Sequence, residues 1–211
     1  MMDELALIAS AQKGDLRAFN QLVLLYQSMA YNVAYRILTD PDAAADATQD
    51  AFFSAYKAMK KFRGGSFKAW LLRIVTNACY DQLRVKKRRP TSSLDDLPVE
   101  SEHSQFLRDE SESPDELLER QELGHFLQHG ISALPIEQRA VLVLSDVQGL
   151  SYQEVAEIMD LSLGTVKSRL SRGRARLRDF LLERGELLPA RYRLKDDTET
   201  EHTEPAGGRE R

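Results

Sequence analysis

One stretch of this sequence combines short polar side chains with a run of cations, a combination suited to contacting nucleic acid. Residues 162–178 contain six Lys or Arg and no Asp or Glu. Ser168, Ser171 and Ala175 are small enough to let a backbone approach base edges, while the surrounding cations can neutralise phosphates. A solvated helix face usually mixes both signs of charge, so the pattern favours nucleic-acid binding over a plain amphipathic helix. The cations are Lys167, Arg169, Arg172, Arg174, Arg176 and Arg178.

These residues are predicted to lie on the second helix of a helix-turn-helix. Ser151, followed three positions later by Glu154, is a capping-box pattern that starts the first helix. Residues 160–162 make the turn, and the Ser162 hydroxyl can cap the second helix. At about 100° per residue, the second helix places Val166, Leu170, Gly173 and Leu177 opposite Ser168, Ser171, Arg172 and Ala175. A helix-turn-helix indicates DNA binding without specifying the kind of DNA-binding protein.

A second basic region lies earlier in the chain. Residues 57–89 contain eleven Lys or Arg against the single acid Asp81. Two adjacent glycines at 64 and 65 predict a loop there, which could approach a phosphate or a base or be a plain turn. The helix that follows carries side chains able to hydrogen-bond base edges, and at helical spacing they form one stripe of Arg73, Asn77, Asp81 and Arg84.

The segment PDAAADATQDAFFSAYKAMKKF predicts a helix with an acidic and amide outer face. The helix dipole explains acids near the start of the helix, such as Asp42. It explains Gln49 and Asp50 poorly, because they lie further along. The residues alone leave two interpretations open, a solvated face and a protein-docking face.

Composition and charge predict an all-α chain with two small helical domains joined by a flexible acidic linker. The chain has 211 residues, 42% hydrophobic residues and a net charge of −4. That small total hides segregated charge, because residues 94–122 carry eleven acids against two cations. We expect the first domain at residues 1–90, the linker at 91–113, the helix-turn-helix domain at 114–185 and a disordered tail at 186–211.

Few residues suggest other chemistry. Cys79 lies in an apolar helical run, which favours a buried small hydrophobe over a redox sensor. His125 and His129 have a spacing that can hold zinc but lack further ligands nearby, so we expect no metal and no cofactor. Neither a phosphate-binding loop nor a nucleophile motif is present, which argues against an enzyme. No apolar run approaches the roughly 20 residues that cross a bilayer, and no signal peptide is apparent, so we expect a cytoplasmic protein.

Taken together, the motifs resemble bacterial sigma factors of the extracytoplasmic function (ECF) type, the minimal form of the sigma-70 family with only its second and fourth conserved domains. DAAADATQDAFF is similar to the family's core-polymerase segment, and FRGGSFKAWLLRIVTNACYDQLRVKKRRP to its minus-ten segment. LPIEQRAVLVLSDVQGLSYQEVAEIMDLSLGTVKSRLSRGRARL is similar to its minus-35 domain. The resemblance covers about residues 15–89 and 114–183.

The resemblance implies roles for particular residues. Those facing the β′ clamp helices of core RNA polymerase would be Asp46, Gln49, Asp50 and Phe53. The loop at 63–68 would capture a base flipped from the melted minus-ten strand, with Phe67 as a stacking candidate or a core residue. The full minus-ten set is Lys60, Lys61, Arg63, Ser66, Phe67, Lys68, Arg73, Asn77, Asp81 and Arg84. The minus-35 set is Thr165, Lys167, Ser168, Ser171 and Arg172.

The resemblance also implies partners: core polymerase through its β′ and β subunits, promoter DNA, and an anti-sigma factor that could hold the protein at the membrane. The chemistry would belong to the polymerase rather than to this chain. The main alternative is a free-standing helix-turn-helix regulator that binds duplex DNA unaided, usually as a dimer on a palindrome. A polymerase-binding regulator without DNA contacts and a nucleic-acid enzyme are further alternatives, disfavoured by the two basic clusters and by the lack of a catalytic constellation.

Overall fold

The computed structural model describes residues 3–88 and 114–184, and every regular element in these two ranges is helical. In chain order they are α1 (Glu4–Gln12), α2 (Leu16–Leu38), α3 (Pro41–Ala58), α4 (Phe67–Arg88), α5 (Pro114–Ser132), α6 (Ile136–Leu142), α7 (Tyr152–Met159) and α8 (Leu163–Glu183). A 3₁₀ turn (Met59–Lys61) follows α3, and a π-helical turn (Val143–Val147) follows α6. The all-α prediction is confirmed, while the expected linker and tail lie outside the described residues.

Aspartate side chains cap the first three helices of the first unit, which comprises α1 to α4. Asp15 accepts hydrogen bonds from two backbone N–H groups in the first turn of α2, at 2.9 and 3.3 Å. Asp40 accepts one such hydrogen bond, from the Ala43 N–H in the first turn of α3 at 3.1 Å. Pro41 follows at the first helical position, where its missing N–H costs no hydrogen bond. Only two residues separate α2 from α3, so α3 folds back along α2.

Small side chains bring the helices of the first unit close together. Ala44, Ala47, Ala51 and Ala55 share one face of α3 and are fully buried. Larger residues from the neighbouring helices fill the space around them, chiefly Leu22, Val33, Ile37, Met59, Leu71, Leu72 and Val75. Cys79 belongs to the same core, and burial raises the pKa of its thiol to about 12. The interpretation of Cys79 as a buried small hydrophobe is confirmed.

Two predicted helices end earlier than expected. The third was predicted to continue to Phe62, but α3 ends at Ala58 and the 3₁₀ turn buries Met59. The sequence also predicts one helix from Ile136 to Gly149. Instead, α6 ends at Leu142, and the next five residues form a wider turn in which the Gln148 N–H donates to the Val143 carbonyl at 3.0 Å.

The second unit, α5 to α8, packs its helix-turn-helix on α6. Fully buried side chains from α6, the π-helical turn, α7 and α8 meet there, among them Val141, Leu144, Val155 and Val166. Gly173 of α8 lies against α6, and a Cβ at this position would be 3.5 Å from the Gln138 carbonyl oxygen. This is an ordinary van der Waals distance, so α8 packs directly on α6 at Gly173 and a Cβ would still fit.

The two units contact each other through hydrogen bonds that cross between them. The Arg139 guanidinium on α6 donates to the Ile37 carbonyl at the end of α2, at 2.8 Å. It also donates to the Ser132 and Leu134 carbonyls of its own unit. Arg36 of α2 donates to Gln128 of α5 at 3.3 Å. A cation at the carboxyl end of α2 also complements the negative end of the helix dipole.

A second part of this contact lies at the start of α4. The Lys68 ammonium donates to the Gln148 carbonyl, which follows the π-helical turn, at 2.7 Å. α4 and α7 pack side by side in the same region. The two predicted DNA-binding units therefore touch each other in this arrangement, a relation that the sequence pattern did not predict.

Replacing Arg139 with Met should loosen the contact between the units. The substitution keeps much of the side-chain volume but removes the donors to three carbonyls, a loss of about 1–3 kcal/mol of folding free energy. We expect a lower melting temperature and, in small-angle X-ray scattering, a larger radius of gyration. Arg17→Met is the matched control, because Arg17 lies exposed on α2. Identical scattering from both variants would contradict the anchoring role of Arg139.

Candidate nucleic-acid interface

The first helix of the helix-turn-helix starts at the predicted capping box. The Glu154 N–H donates to the Ser151 hydroxyl at 3.2 Å, and the Ser151 N–H donates to the Glu154 carboxylate at 2.9 Å. These hydrogen bonds favour the ionised carboxylate and lower the pKa of Glu154. The predicted capping box is confirmed, and it fixes where α7 begins.

A short turn then sets the direction of α8. Asp160 adopts a left-handed conformation with φ of 53°, and its N–H donates to the Ala156 carbonyl. Ser162 caps α8 by accepting from the Thr165 N–H at 3.2 Å, and the two hydroxyls lie 2.8 Å apart. Thr165, a predicted minus-35 residue, is therefore tied to the cap itself.

α8 separates a buried edge from an exposed face. Val166, Leu170 and Gly173 are buried, as predicted. The opposite face exposes four of the predicted minus-35 residues, Lys167, Ser168, Ser171 and Arg172. Next to this face lies an open cleft of about 560 Å³, lined by Tyr152, Lys167, Leu170, Ser171, Arg174, Ala175 and Arg178.

Hydrogen bonds along α8 orient one of these side chains. Arg172 donates from Nε to the Ser168 carbonyl at 3.1 Å and from Nη2 to the Ser168 hydroxyl at 3.3 Å. Ser168 in turn donates to the Thr165 carbonyl at 3.0 Å. The guanidinium therefore lies along the exposed surface of the helix, with further donors available to a ligand.

One cation of α8 departs from the expectation that all six are available to phosphates. Arg174 makes a bidentate ion pair with Asp146, from Nε to Oδ2 at 2.8 Å and from Nη2 to Oδ1 at 2.6 Å. Asp146 lies on the π-helical turn, 28 residues earlier in the chain. Sequence reasoning missed this partner, because no local pattern connects the two positions.

On α4, the predicted stripe is exposed as a whole. Arg73, Asn77, Asp81 and Arg84 all face solvent in the described residues. Asp81 and Arg84 form an exposed ion pair at 2.7 Å, which would have to compete with any ligand for these side chains.

The loop before α4 combines unusual backbone with exposed cations. Gly64 and Gly65 have φ of 90° and 86°, a conformation that other residues rarely adopt. Lys60, Lys61 and Arg63 are exposed around this loop. Ser66 closes it by accepting a hydrogen bond from the Ala69 N–H at 3.1 Å, so its hydroxyl helps to start α4.

The stacking role considered for Phe67 needs correction. Phe67 is only 3% exposed and packs against Tyr26, Phe62 and Trp70, with ring centroids 5.3 to 5.7 Å apart. Its ring belongs to an aromatic cluster in the core and has no free face for a base. The alternative of a core residue was the correct one.

The acidic face of α3 points away from the core. Asp46, Gln49 and Asp50 are exposed, and Phe53 leaves 60% of its surface accessible. The Lys57 ammonium lies 3.9 Å from the centre of the Phe53 ring. A large aromatic side chain exposed beside acids is typical of a surface that a protein partner covers.

Within residues 3–88 and 114–184, no three His, Cys, Asp or Glu side chains come together as a metal site would require. None of the described helices is both long and apolar enough to span a bilayer.

Comparison with known proteins identifies both units. A family model for sigma-70 region 2 matches residues 22–89, and one for sigma-70, region 4 matches residues 127–177. The ECF RNA polymerase sigma-E factor of Escherichia coli (strain K12) is 39% identical over 170 residues, which cover 80% of this chain and 88% of that protein.

Two solved structures show the same architecture. The sigma factor RpoE of Bartonella quintana, in complex with the anti-sigma factor NepR, has a TM-score of 0.61 and 26% identity, covering 79% of this chain and 98% of that one. CnrH, in complex with the cytosolic domain of CnrY, has a TM-score of 0.59 and 28% identity, covering 83% and 95%. The chain therefore belongs to the sigma-70 family and, within it, to the ECF RNA polymerase sigma factors.

Proposed function

We infer that this protein is a sigma factor, which binds core RNA polymerase and directs it to promoters carrying particular minus-35 and minus-ten elements. The observation that carries this conclusion is the pairing of region 2 with region 4 in one chain. Region 4 presents an exposed basic face on α8, and region 2 presents an acidic face on α3 and a basic surface on α4. The protein would act as an initiation subunit, leaving catalysis to the polymerase.

We assign polymerase docking to α3. Asp46, Gln49 and Asp50 offer carboxylates and an amide, and Phe53 supplies an exposed ring at the same face. Such a surface complements basic and apolar side chains, as expected of the β′ clamp helices. The β subunit would provide a further contact.

We assign minus-ten recognition to the loop before α4 and to the exposed stripe of α4. The cations would hold the backbone of the melted strand, and the polar side chains of α4 would read its bases. Extruding a base from the stack costs a few kcal/mol of free energy. Close contacts between the base and the loop around Gly64 and Gly65 would have to offset this cost. The residues proposed are Lys60, Lys61, Arg63, Ser66, Lys68, Arg73, Asn77, Asp81 and Arg84.

We assign minus-35 recognition to the exposed face of α8. Arg172 is suited to a bidentate contact with guanine, while Ser168 and Ser171 can bond either kind of base. Lys167 would neutralise a phosphate, and Thr165 would contribute at the start of the helix. Residues 1–90 and 114–185 would thus be the two functional domains, with residues 91–113 as the tether that joins them.

Docking to polymerase and docking to an inhibitor would compete for one surface. The RpoE relative is held by an anti-sigma factor. We propose an anti-sigma factor for this chain as well, and a location in the cytoplasm or, through that partner, at the membrane. The contact between Lys68 and Gln148 means that the units must also separate before Lys68 can reach DNA.

The proposal is tested by transcription with purified components. The full chain is mixed with bacterial core RNA polymerase and a genomic DNA library, and transcripts made with and without it are sequenced. New start sites that share motifs near minus-ten and minus-35 are expected. Unchanged start sites, together with tight binding of the chain alone to duplex DNA, would instead establish the free-standing regulator.

Replacing Gln49 and Asp50 together with Ala should weaken binding to core polymerase roughly tenfold, since each loses a polar contact at the docking face. Affinity is measured by titrating labelled chain with core enzyme. Gln21→Ala/Asn32→Ala, two exposed amides on α2, is the matched control. Equal affinities for both double variants would exclude this docking face.

Replacing Ser171 or Arg172 with Ala should change promoter choice in the minus-35 element alone. Each lost base contact reduces discrimination by about 1–3 kcal/mol at the base pair concerned. The readout is the motif logo of the transcribed promoters, with the minus-ten motif as internal reference. Arg176→Ala, an exposed cation on the same helix, should lower affinity for all sequences alike. An unaltered minus-35 motif in both Ser171 and Arg172 variants would refute the assignment to α8.

A further inference from the structure

Arg174 lies among the predicted DNA-contacting residues of α8 but is already bound within the protein. It borders the cleft that Lys167, Ser171 and Arg178 also line. Both of its hydrogen bonds to Asp146 are short, and two parallel donors facing two carboxylate oxygens make the strongest kind of ion-pair geometry. The Nε–Nη2 edge of its guanidinium thus faces Asp146, while about half of the Arg174 side chain remains exposed to solvent.

The other cations of this helix are held differently. Arg178 pairs at 3.3 Å with the neighbouring Asp179, and both side chains are largely exposed, a contact that water and salt readily replace. Arg172 bonds only to uncharged groups of its own helix. Among the cations of α8 in the described residues, Arg174 is therefore the one paired with a carboxylate from another element of the fold.

Arg174 lies where three elements of the second unit meet. Asp146 belongs to the π-helical turn, and Tyr152, at the start of α7, lines the same cleft as Arg174. The adjacent residue on α8, Gly173, is packed against Gln138 of α6. Two consecutive residues thus attach the middle of α8 to the rest of the unit, one by close packing and one by an ion pair.

A phosphate could take the Nε–Nη2 edge of Arg174 only by displacing Asp146, because both donors of that edge are bound to the carboxylate. The displaced carboxylate would then lie unpaired beside the DNA backbone, where like charges repel. While the pair is intact its net charge is zero, so it adds nothing to the counterion release that drives phosphate binding.

We propose that Arg174 is a positioning residue, and that Asp146 both fixes the angle at which α8 meets DNA and withholds one cation from the phosphates. This inference rests on the proposed function of α8 in minus-35 recognition. A recognition helix that is fixed at its middle places its base-contacting residues at one position relative to the DNA bases. Replacing a non-specific phosphate contact by an internal ion pair raises the share of affinity that depends on sequence.

The test uses holoenzyme made from core polymerase and the full chain. The probe is a duplex that carries a minus-35 motif recovered by transcript mapping, or the same duplex with one base pair of that motif changed. Binding is measured from low to moderate salt. Two quantities are compared, the discrimination between the two duplexes and the slope of log K against log salt, which changes by about 0.9 for each phosphate neutralised.

Three variants separate the roles. Asp146→Ala should steepen the slope by about 0.9, because it frees Arg174, and should lower discrimination about fivefold to tenfold. Asp146→Ala/Arg174→Ala should lower discrimination equally while leaving the slope unchanged. Arg174→Lys keeps the charge but lacks the bidentate fork, so it should also lose discrimination. Thermal unfolding of each variant reports whether the fold persists.

The opposite role gives opposite results. If Arg174 contacts a phosphate, the double variant lowers the slope by about 0.9 and Arg174→Lys behaves as the wild type; either result overturns the proposal. Unchanged discrimination in the double variant overturns the positioning role. Arg172→Ala distinguishes a failure of the proposed function, because unchanged discrimination in that variant would mean that α8 does not read the minus-35 motif.

Discussion

The exposed face of α8 can contact a ligand only because the opposite face of the helix is packed against the core. A helix of about 10 Å diameter can expose one face to a groove only if its opposite face is fixed to a core. At Gly173 the helix packs directly on α6, at a distance where a Cβ would be in van der Waals contact with the Gln138 carbonyl oxygen. Val166 and Leu170 complete the buried edge. This packing therefore determines the direction in which the exposed residues on the opposite face of α8 point.

Local chemistry determined the parts of the fold that the sequence predicted well. Asp15, Asp40 and Ser151 each satisfy backbone donors a few residues away, so their role can be read from neighbouring positions alone. The amphipathic division of α8 has the same origin, because side-chain direction follows helical periodicity. For these reasons the all-α class, the helix-turn-helix and the exposed stripe of α4 were all predictable.

Tertiary contacts decided the remainder. Phe67 follows an exposed loop, but its ring enters a cluster with Trp70 of its own helix and with Tyr26 and Phe62 from two other segments, and the contact with Tyr26 is indicated by no local pattern. Arg174 looks like its neighbouring cations until Asp146 is placed beside it. The π-helical turn interrupts a pattern of apolar residues that fits a continuous helix equally well, because the buried positions Val143 and Leu144 are the same in either case.

The contact between the two units has an asymmetry with evolutionary consequences. Two of its acceptors, at Ile37 and Gln148, are backbone carbonyls, which every amino acid supplies, so substitution at those positions leaves the acceptors in place. At these two hydrogen bonds, substitution can change the strength of the contact only on the donor side, whereas the bond from Arg36 to Gln128 has a side chain at both ends. Lys68 also lies in the surface assigned to the minus-ten strand and is constrained by DNA. Of the two donors to backbone carbonyls, Arg139 is therefore the one whose substitution can change the contact between the units independently of promoter choice.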